Sequence, residues 1–481
     1  MGEIQNIVKS IQNIMRKDAG VDGDAQRLSQ LVWMLFLKIF DDREKNLELI
    51  DPSYRSPIPE KYRWRSWAQD AEGITGDDLF AFIDKELFPA LKNLETNKNQ
   101  PSGAIVKSVF TDTYNYMKNG TLIRQVVNKI GEINFNKQAD RHQFGDLYEK
   151  LLKDLQSAGN AGEFYTPRPL TKFVVDMVAP KLGETVLDPA CGTGGFLVNV
   201  LEHVRESGQI KTHDDEMLLQ KSVYGVELKP LPYLLATTNF MLHGVETPNA
   251  IRRDDTLATP LTQYGPKGKV DVIVANPPFG GVVADGTQVN FPSQFRTKDT
   301  ALLFLVLFVH LLKDGGRAGI VLPDGVLFGE GVSSAIKKHL LETCNVHTIV
   351  RLPQGVFNPY AGVNTNLIFF DKSAPTKEVW YYQLPLPEGM KQYTKNRGIT
   401  YEEFESVRKW WGGVSRKGRV ADNHSWKVSI KDIETRNYNL DFKNPNGDSK
   451  VEHKESEEII VDIETAEKQV LSILQEIKKE L

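Results

Sequence analysis

The residues of this 481-residue chain best suited to chemistry are Asn276, Pro277, Pro278 and Phe279. They set a carboxamide, two rigid carbonyls and an aromatic ring in four consecutive positions. The prolines lack N–H donors and fix φ, so the backbone that carries them is stiff and extended. The amide oxygen of Asn276 and the carbonyl of Pro277 can accept two N–H bonds, and Phe279 offers a face for stacking. Such a clamp suits a planar amine. Two well-aimed acceptors favour a more tetrahedral, nucleophilic nitrogen, and preorganised dipoles of this kind are usually the largest catalytic term. A strand ending in a Pro-Pro turn with a packed ring would use the same residues with no chemistry.

A second group reads as a nucleotide-type site. Asp188-Pro189-Ala190-Cys191-Gly192-Thr193-Gly194-Gly195-Phe196 follows a strand and opens a helix. Glycines there let a ligand approach the backbone and free N–H groups at a helix start. Glu227 ends the next strand, where a carboxylate can take both hydroxyls of a ribose. Of Asp254 and Asp255, the second is preferred as acceptor for an adenine amino group; both also suit solvated turns. Glu163-Phe164-Tyr165-Thr166-Pro167-Arg168 precedes the glycine turn as a plausible wall over a cofactor. Alone it would read as a helix start, with Thr166 as cap and Pro167 first in the helix.

The elements that must position these groups alternate. Val270–Ala275 is a β-branched apolar run, a buried strand that stops at the prolines and leaves Asn276 at its carboxyl end. That is where open α/β sheets place ligands. Further strands are expected at 185–187, 223–226, 318–322, 348–352 and 364–370. Helices are expected at 196–204, 231–243 and 300–312, the last stopped by Gly315-Gly316. The region before about residue 155 looks helical, with Leu28, Leu31, Val32, Leu35, Phe36 and Ile39 at helix spacing. Other helical stretches there are 79–94, 105–109, 122–130 and 144–155. Lys61 to Trp67 interleaves basic and aromatic residues and fits either a nucleic-acid contact or an amphipathic turn. After Asp371 the pattern loosens into a polar segment. Ile463, Ala466, Val470, Ile473 and Ile477 then mark a narrow apolar stripe, as on a helix that docks on a partner.

Composition is that of an ordinary soluble globular protein, 40% hydrophobic and 25% charged, with formal net charge −4. No strong electrostatic pull toward nucleic acid exists at whole-chain level, so a DNA substrate would need local basic patches or a partner. The two cysteines, Cys191 and Cys344, form no metal or redox pattern and suit a reducing cytoplasm. The first residues lack a signal-peptide pattern, no apolar run is long enough for a bilayer, and no metal site is expected.

The order of these motifs resembles amino-methyltransferases that use S-adenosylmethionine, and specifically the modification (HsdM) subunits of type I restriction-modification systems. Further matching text is Leu312-Lys313-Asp314-Gly315-Gly316-Arg317, Val321 to Phe328 and Leu352 to Phe357. The resemblance implies a class I S-adenosylmethionine-dependent methyltransferase fold, α/β with a Rossmann-like doubly wound sheet. It implies an N-terminal helical domain over 1–156, a catalytic domain over 157–445 and a C-terminal amphipathic helix over 446–481. Glu163, Phe164, Tyr165, Thr166, Pro167 and Arg168 would border the cofactor. Thr193, Gly194 and Gly195 would pack against its methionine end, and Glu227 would hold its ribose. Asn276 to Phe279 would grip an adenine flipped out of double-stranded DNA and hold it for direct displacement at N6. Asp188 would organise the glycine turn, and Cys191 would be a small packed residue.

The same resemblance implies a specificity subunit that reads the site, a second copy of this chain, and in some systems a restriction subunit, in a bacterial or archaeal cytoplasm. No large recognition region follows Asp371, which fits delegated sequence reading. The loop 281–298 is expected to order over DNA or to be a surface excursion. Two other readings are a protein glutamine methyltransferase, since a side-chain amide also suits the clamp, and a silent scaffold subunit.

Overall fold

The computed structural model describes residues 2–96, 101–136, 144–145, 148–149, 165–245, 250–358, 362–394 and 396–446. Glu163, Phe164, most of the helix expected over 144–155, the boundary at 156 and the terminal helix from 447 onward lie outside the described residues.

Helices alone make up the described residues up to Gly131. The central post is Asp24–Ile50, with Gly2–Met15 and Gly120–Gly131 packed near it. Its apolar stripe is wider than helix spacing suggests, because Trp33, Met34 and Leu37 are buried beside Leu31, Leu35 and Phe36. Charges buried on it are paired or hydrogen-bonded, Glu44 by the hydroxyls of Tyr54 and Ser56. Lys38 donates to Asp42 at 2.6 Å, and Arg65 to Asp41 at 2.8 Å. The helical stretch expected from Leu79 is a run of three, Gly76–Phe82, a π turn Ile83–Leu87 and Phe88–Lys92. Pro89 has no N–H to give, and the ladder adjusts just ahead of it.

Lys61 to Trp67 is the amphipathic turn, not a free basic patch. Trp64 and Trp67 are buried with ring centroids 5.1 Å apart. Lys61 pairs with Glu86, Arg63 with Glu48 at 3.3 Å, and Arg65 with Glu48 at 2.6 Å.

Among the described residues a nine-stranded sheet follows. Its strands are β1 Val186–Asp188, β2 Val223–Glu227, β3 Ile251–Arg253, β4 Val270–Ala275, β5 Leu312–Pro323, β6 Asn345–Arg351, β7 Thr365–Asp371, β8 Glu378–Gln383 and β9 Ser425–Ser429. Their order is β3-β2-β1-β4-β5-β7-β6-β8-β9. β3 through β5 run parallel, β7 lies antiparallel between β5 and β6, and β9 is antiparallel to β8. This is the expected α/β architecture with an antiparallel strand set in.

The sheet divides two cores. On β4, Val272 and Val274 face one core while Ile273 and Ala275 face the other, as the two-residue strand period requires. The first core is continuous with that of the N-terminal helices and takes in Arg168–Val178, Gly195–Glu206 and Pro230–Leu242. The second holds Thr300–Leu311 and Val332–Thr343. Between β3 and β4 the chain makes only short 3-10 turns. A cleft of about 950 Å³ lies there, lined by Tyr224, Arg252, Lys269 and Ile105.

Two expectations are overturned. Gly315-Gly316 does not stop the helix at 300–312. That helix ends at Leu311, β5 starts at Leu312, and Gly315 (φ +78°) sits in an irregularity where the β4–β5 register slips between Val270 and Val272. Nor is the chain loose after Asp371. β8 and β9 extend the sheet, with Tyr381 stacked on Trp426 at 5.4 Å. Arg419 lies 4.6 Å from the rings of both Trp410 and Trp411. The polar residues form the surface of a packed extension. No helix among the described residues is long and apolar enough to cross a membrane, and none of their His, Cys, Asp or Glu residues group to hold a metal.

Arg65→Ala leaves Asp41, 3% exposed, without its main partner. The expected loss of folding stability is about 2 kcal/mol, read by urea unfolding. A nucleic-acid contact through this stretch would instead require Arg65→Ala to flatten the salt dependence of such binding, which is not expected.

Candidate active site

β4 is buried and ends at Ala275, so Asn276 emerges at the carboxyl edge of the sheet. Pro277 is buried, Pro278 exposed, and Asn276 and Phe279 half-buried. The Phe279 ring meets Phe357 edge-on at 5.8 Å, which holds it beside the turn. Gly280 has φ +65°, and a Cβ on Gly281 would lie 2.9 Å from Thr300 Oγ1. Thr300 N–H closes the turn by donating to Gly281 at 3.1 Å. The four residues are thus gripped from both sides.

The amide of Asn276 is half satisfied. Its Nδ2 donates to Thr166 Oγ1 at 2.9 Å, whereas Oδ1 is buried and receives no hydrogen bond from the described residues. Thr166 is therefore not the helix cap expected from sequence. Pro167 takes the cap position of Arg168–Val178 without a side-chain bond, and the Thr166 hydroxyl turns to Asn276.

The glycine turn builds up from β1. Asp188 is buried, and its Oδ1 accepts Ala190 N–H at 3.1 Å. Burial, with the nearby Glu227 charge, pushes its carboxyl well above the usual range. Cys191 N–H donates to Val226 at 3.0 Å, while its thiol is packed and raised by burial. Gly194 has φ +80° and precedes helix Gly195–Glu206. At Gly195 a Cβ would fall 1.3 Å from Arg168 Nη1, so any larger residue would have to displace the guanidinium.

Glu227 ends β2 and is 7% exposed. Its Oε2 accepts Gly192 N–H at 2.9 Å and its Oε1 accepts Lys229 N–H at 2.7 Å. Burial raises its carboxyl to about 7, with those backbone donors pulling the other way. Asp255 stands just beyond β3, and its Oδ1 caps a short turn by accepting Leu257 N–H at 3.0 Å. Tyr165 is buried with the Arg168 guanidinium 5.1 Å over its ring.

Two residues outside the sequence reading knit this edge together. Glu149 pairs with Arg168, whose Nη2 also reaches Thr193 Oγ1 at 3.2 Å. Asn239 donates to Glu149 Oε1 at 3.0 Å and to the Thr193 carbonyl at 3.2 Å. Asn239 has no exposed surface and is the one carboxamide on a helix that is otherwise mostly apolar. A lone amide in such a run was the available signal. Tyr165, Thr166, Pro167, Arg168, Thr193, Gly194, Gly195 and Asn276 are thereby drawn into one neighbourhood, with Glu227 joined through Gly192. Asp255 lies at the same end of the sheet without a direct bond to the others.

Comparison with known proteins gives a consistent answer. Residues 139–454 match the family model described as N-6 DNA Methylase, and residues 4–130 match the HsdM N-terminal domain. The chain is 55% identical over 97% of its length, and 95% of the relative's, to the type I restriction enzyme EcoEI methylase subunit of Escherichia coli. It is 30% identical to the EcoKI methylase subunit of the same species, over 87% of this chain and 78% of that one. A modification subunit of a proposed type I restriction enzyme from Vibrio vulnificus superposes with TM-score 0.80 at 43% identity, covering 92% of this chain and 97% of that one. A chain from a structure of type I restriction-modification complex assembly and conformational transition gives 0.85 at 38%, covering 99% and 98%. With its motifs in order on this sheet, the chain belongs to the methylase (HsdM) subunits of type I restriction-modification systems, within the adenine-specific N-6 DNA methyltransferases.

Proposed function

We propose that this chain transfers a methyl group from S-adenosylmethionine to the N6 amine of adenine at a specific DNA site. It does so as the catalytic modification subunit of a type I restriction-modification complex. The observation that carries the reading is the buried, unbonded Oδ1 of Asn276, aimed from a strand end whose Nδ2 is already committed to Thr166. An amide acceptor fixed in this way is suited to an N–H of an exocyclic amine, with the Pro277 carbonyl as second acceptor and Phe279 as stacking face. Pro278 keeps that segment extended. Because both acceptors are in place before substrate arrives, they need no reorganisation as the nitrogen becomes nucleophilic.

The residues present fit the cofactor. When bound, S-adenosylmethionine supplies an electrophilic methyl group on a sulfonium. Glu227 retains lone pairs for ribose hydroxyls beyond the two N–H bonds that orient it. Gly194 and Gly195 let the turn pack closely on Phe240 and Arg168, Asp188 braces it, and Arg168 bonds the Thr193 hydroxyl. Tyr165 to Arg168 form the bordering wall. Asp255 keeps one carboxylate oxygen for an adenine amino group.

A paired adenine cannot reach such a clamp, so the base is flipped from duplex DNA. Sequence is read by a separate specificity subunit, in an assembly with a second copy of this chain and, in systems that cut, a restriction subunit. Family membership and the net charge of −4 support that division of labour. The helical part (1–156) and terminal segment (446–481) serve assembly, and the sheet part (157–445) serves catalysis, in the cytoplasm of a bacterial or archaeal cell. Two free, buried cysteines suit that compartment.

The test is N6-methyladenine formation on DNA by the chain with its co-expressed specificity subunit and by the chain alone. Activity is expected only in the mixture. Asn276→Ala should lower it at least 100-fold with S-adenosylmethionine still bound, and unchanged activity would end the reading in favour of a scaffold. Thr166→Val frees the amide to rotate and should cost about tenfold in kcat with little change in cofactor affinity.

Glu227 adds a pH signature. Its folded value of about 7 lies above the ordinary 4.5, so the folded state holds an extra proton between those values. The associated stability is present below pH 4.5 and lost as pH rises through 7. Glu227→Gln should remove this pH dependence, while its amide nitrogen can no longer accept one of the two N–H bonds that orient the carboxylate, and cofactor binding should weaken. Urea unfolding at pH 5 and pH 8 checks this, and identical pH slopes in the two proteins would contradict it.

A further inference from the structure

The turn after β5 carries a feature that the methyl-transfer site does not use. β4 and β5 run parallel with Ala275 beside Ile320, so β5 continues past Asn276 to Pro323 at the same edge of the sheet. The helix Asp324–Phe328 follows, and the Phe328 ring at its end is 51% exposed. It is the one phenylalanine so exposed among the described residues. A single exposed apolar side chain means little by itself. Its mounting gives it meaning.

Lys337, on the helix Val332–Thr343, has no exposed surface. Its ammonium donates to the carbonyls of Leu327 and Gly329, each at 2.7 Å, the residues on either side of Phe328. Leu440 N–H also donates to Leu327 at 2.9 Å. At the start of the turn, Asp324 Oδ1 accepts Asn366 Nδ2 at 2.6 Å. A Cβ on Gly329 would lie 2.7 Å from Ser333 Oγ and 3.0 Å from the Gly325 carbonyl, so the turn is packed against its helix. Burying an ammonium against neutral carbonyls is costly. Here that cost fixes the backbone on both sides of one exposed ring.

A rigid aromatic ring at the edge where a base is handled matches the chemistry of nucleobase faces, on which such rings stack without regard to sequence. We infer that Phe328 is a DNA contact that stacks on the bases beside the target adenine and supports the duplex while that adenine is out, with Lys337 as its positioning residue. The inference rests on the methyl-transfer reading above. A contact with a partner subunit is the alternative that the test must separate.

The experiment uses the complex with its specificity subunit and two duplexes of one sequence. One is fully paired, and the other has an abasic site opposite the target adenine, where extrusion is easier. Phe328→Ala should lower kcat/KM on the paired duplex about tenfold and change the abasic duplex less than twofold, with Phe328→Trp restoring the paired rate. Lys337→Met should show the same selective loss with unchanged cofactor affinity. Equal losses on both duplexes, no loss on either, or a Phe328→Ala complex that fails to assemble would each overturn the proposal. A parent complex that methylates neither duplex would remove the methyl-transfer reading, and this inference with it.

Discussion

A carboxamide has a donor end and an acceptor end, and left free on a strand terminus it presents either one. Thr166 limits that freedom by taking one N–H of Asn276, which fixes the amide's orientation with its oxygen left as an unpaired acceptor. The rest of the edge depends on this bond. β4 must be buried on both faces so that its end is fixed, and Pro277 and Pro278 must carry the chain away without N–H groups that would compete for the acceptor. The entry to Arg168–Val178 must lie close enough for Thr166 to reach across.

That bond was not readable from sequence, although both of its residues were picked out. Thr-Pro-Arg-Pro has the local grammar of a helix cap, and a local signal cannot report a partner 110 positions away. By contrast Asn276 and Glu227 were placed correctly at strand ends because a β-branched run followed by prolines, or by an acid, is entirely local. β3 escaped notice because it is three residues long and half arginine-facing surface. β8 and β9 escaped because polar residues around Trp380 and Trp426 look like loop until the aromatics find each other. The misjudged glycine stop has the same origin, since an apolar run ending in glycines does not reveal that its last residue already pairs in a sheet.

The helical part and the glycine turn are mechanically one body at their contact. Glu149, near the end of the helical part, joins Arg168, which reaches Thr193; Asn239 bonds both Glu149 and the Thr193 carbonyl. The neighbouring Tyr148 hydroxyl donates to Leu235 at 3.1 Å, and Arg253 beside the site pairs with Asp112. A partially buried guanidinium tolerates little displacement from its carboxylate. Movement of the helices against the sheet is therefore felt first at Thr193, the residue between Gly192 and Gly194.

Two buried acids within that turn look uneconomical, since Asp188 and Glu227 each stand well above their usual range. Their hydrogen bonds explain the arrangement. Asp188 is spent on Ala190 N–H, inside the turn, whereas Glu227 takes one N–H from the glycine turn and one from its own strand end. Each carboxylate oxygen has two acceptor directions, so those bonds orient Glu227 without exhausting it. The same group that ties β2 to the turn remains an acceptor toward a ligand. Replacing it by an apolar residue would relieve desolvation and at the same time strip the acceptor from Gly192 and Lys229, so burial and hydrogen bonding pull in opposite directions at this position.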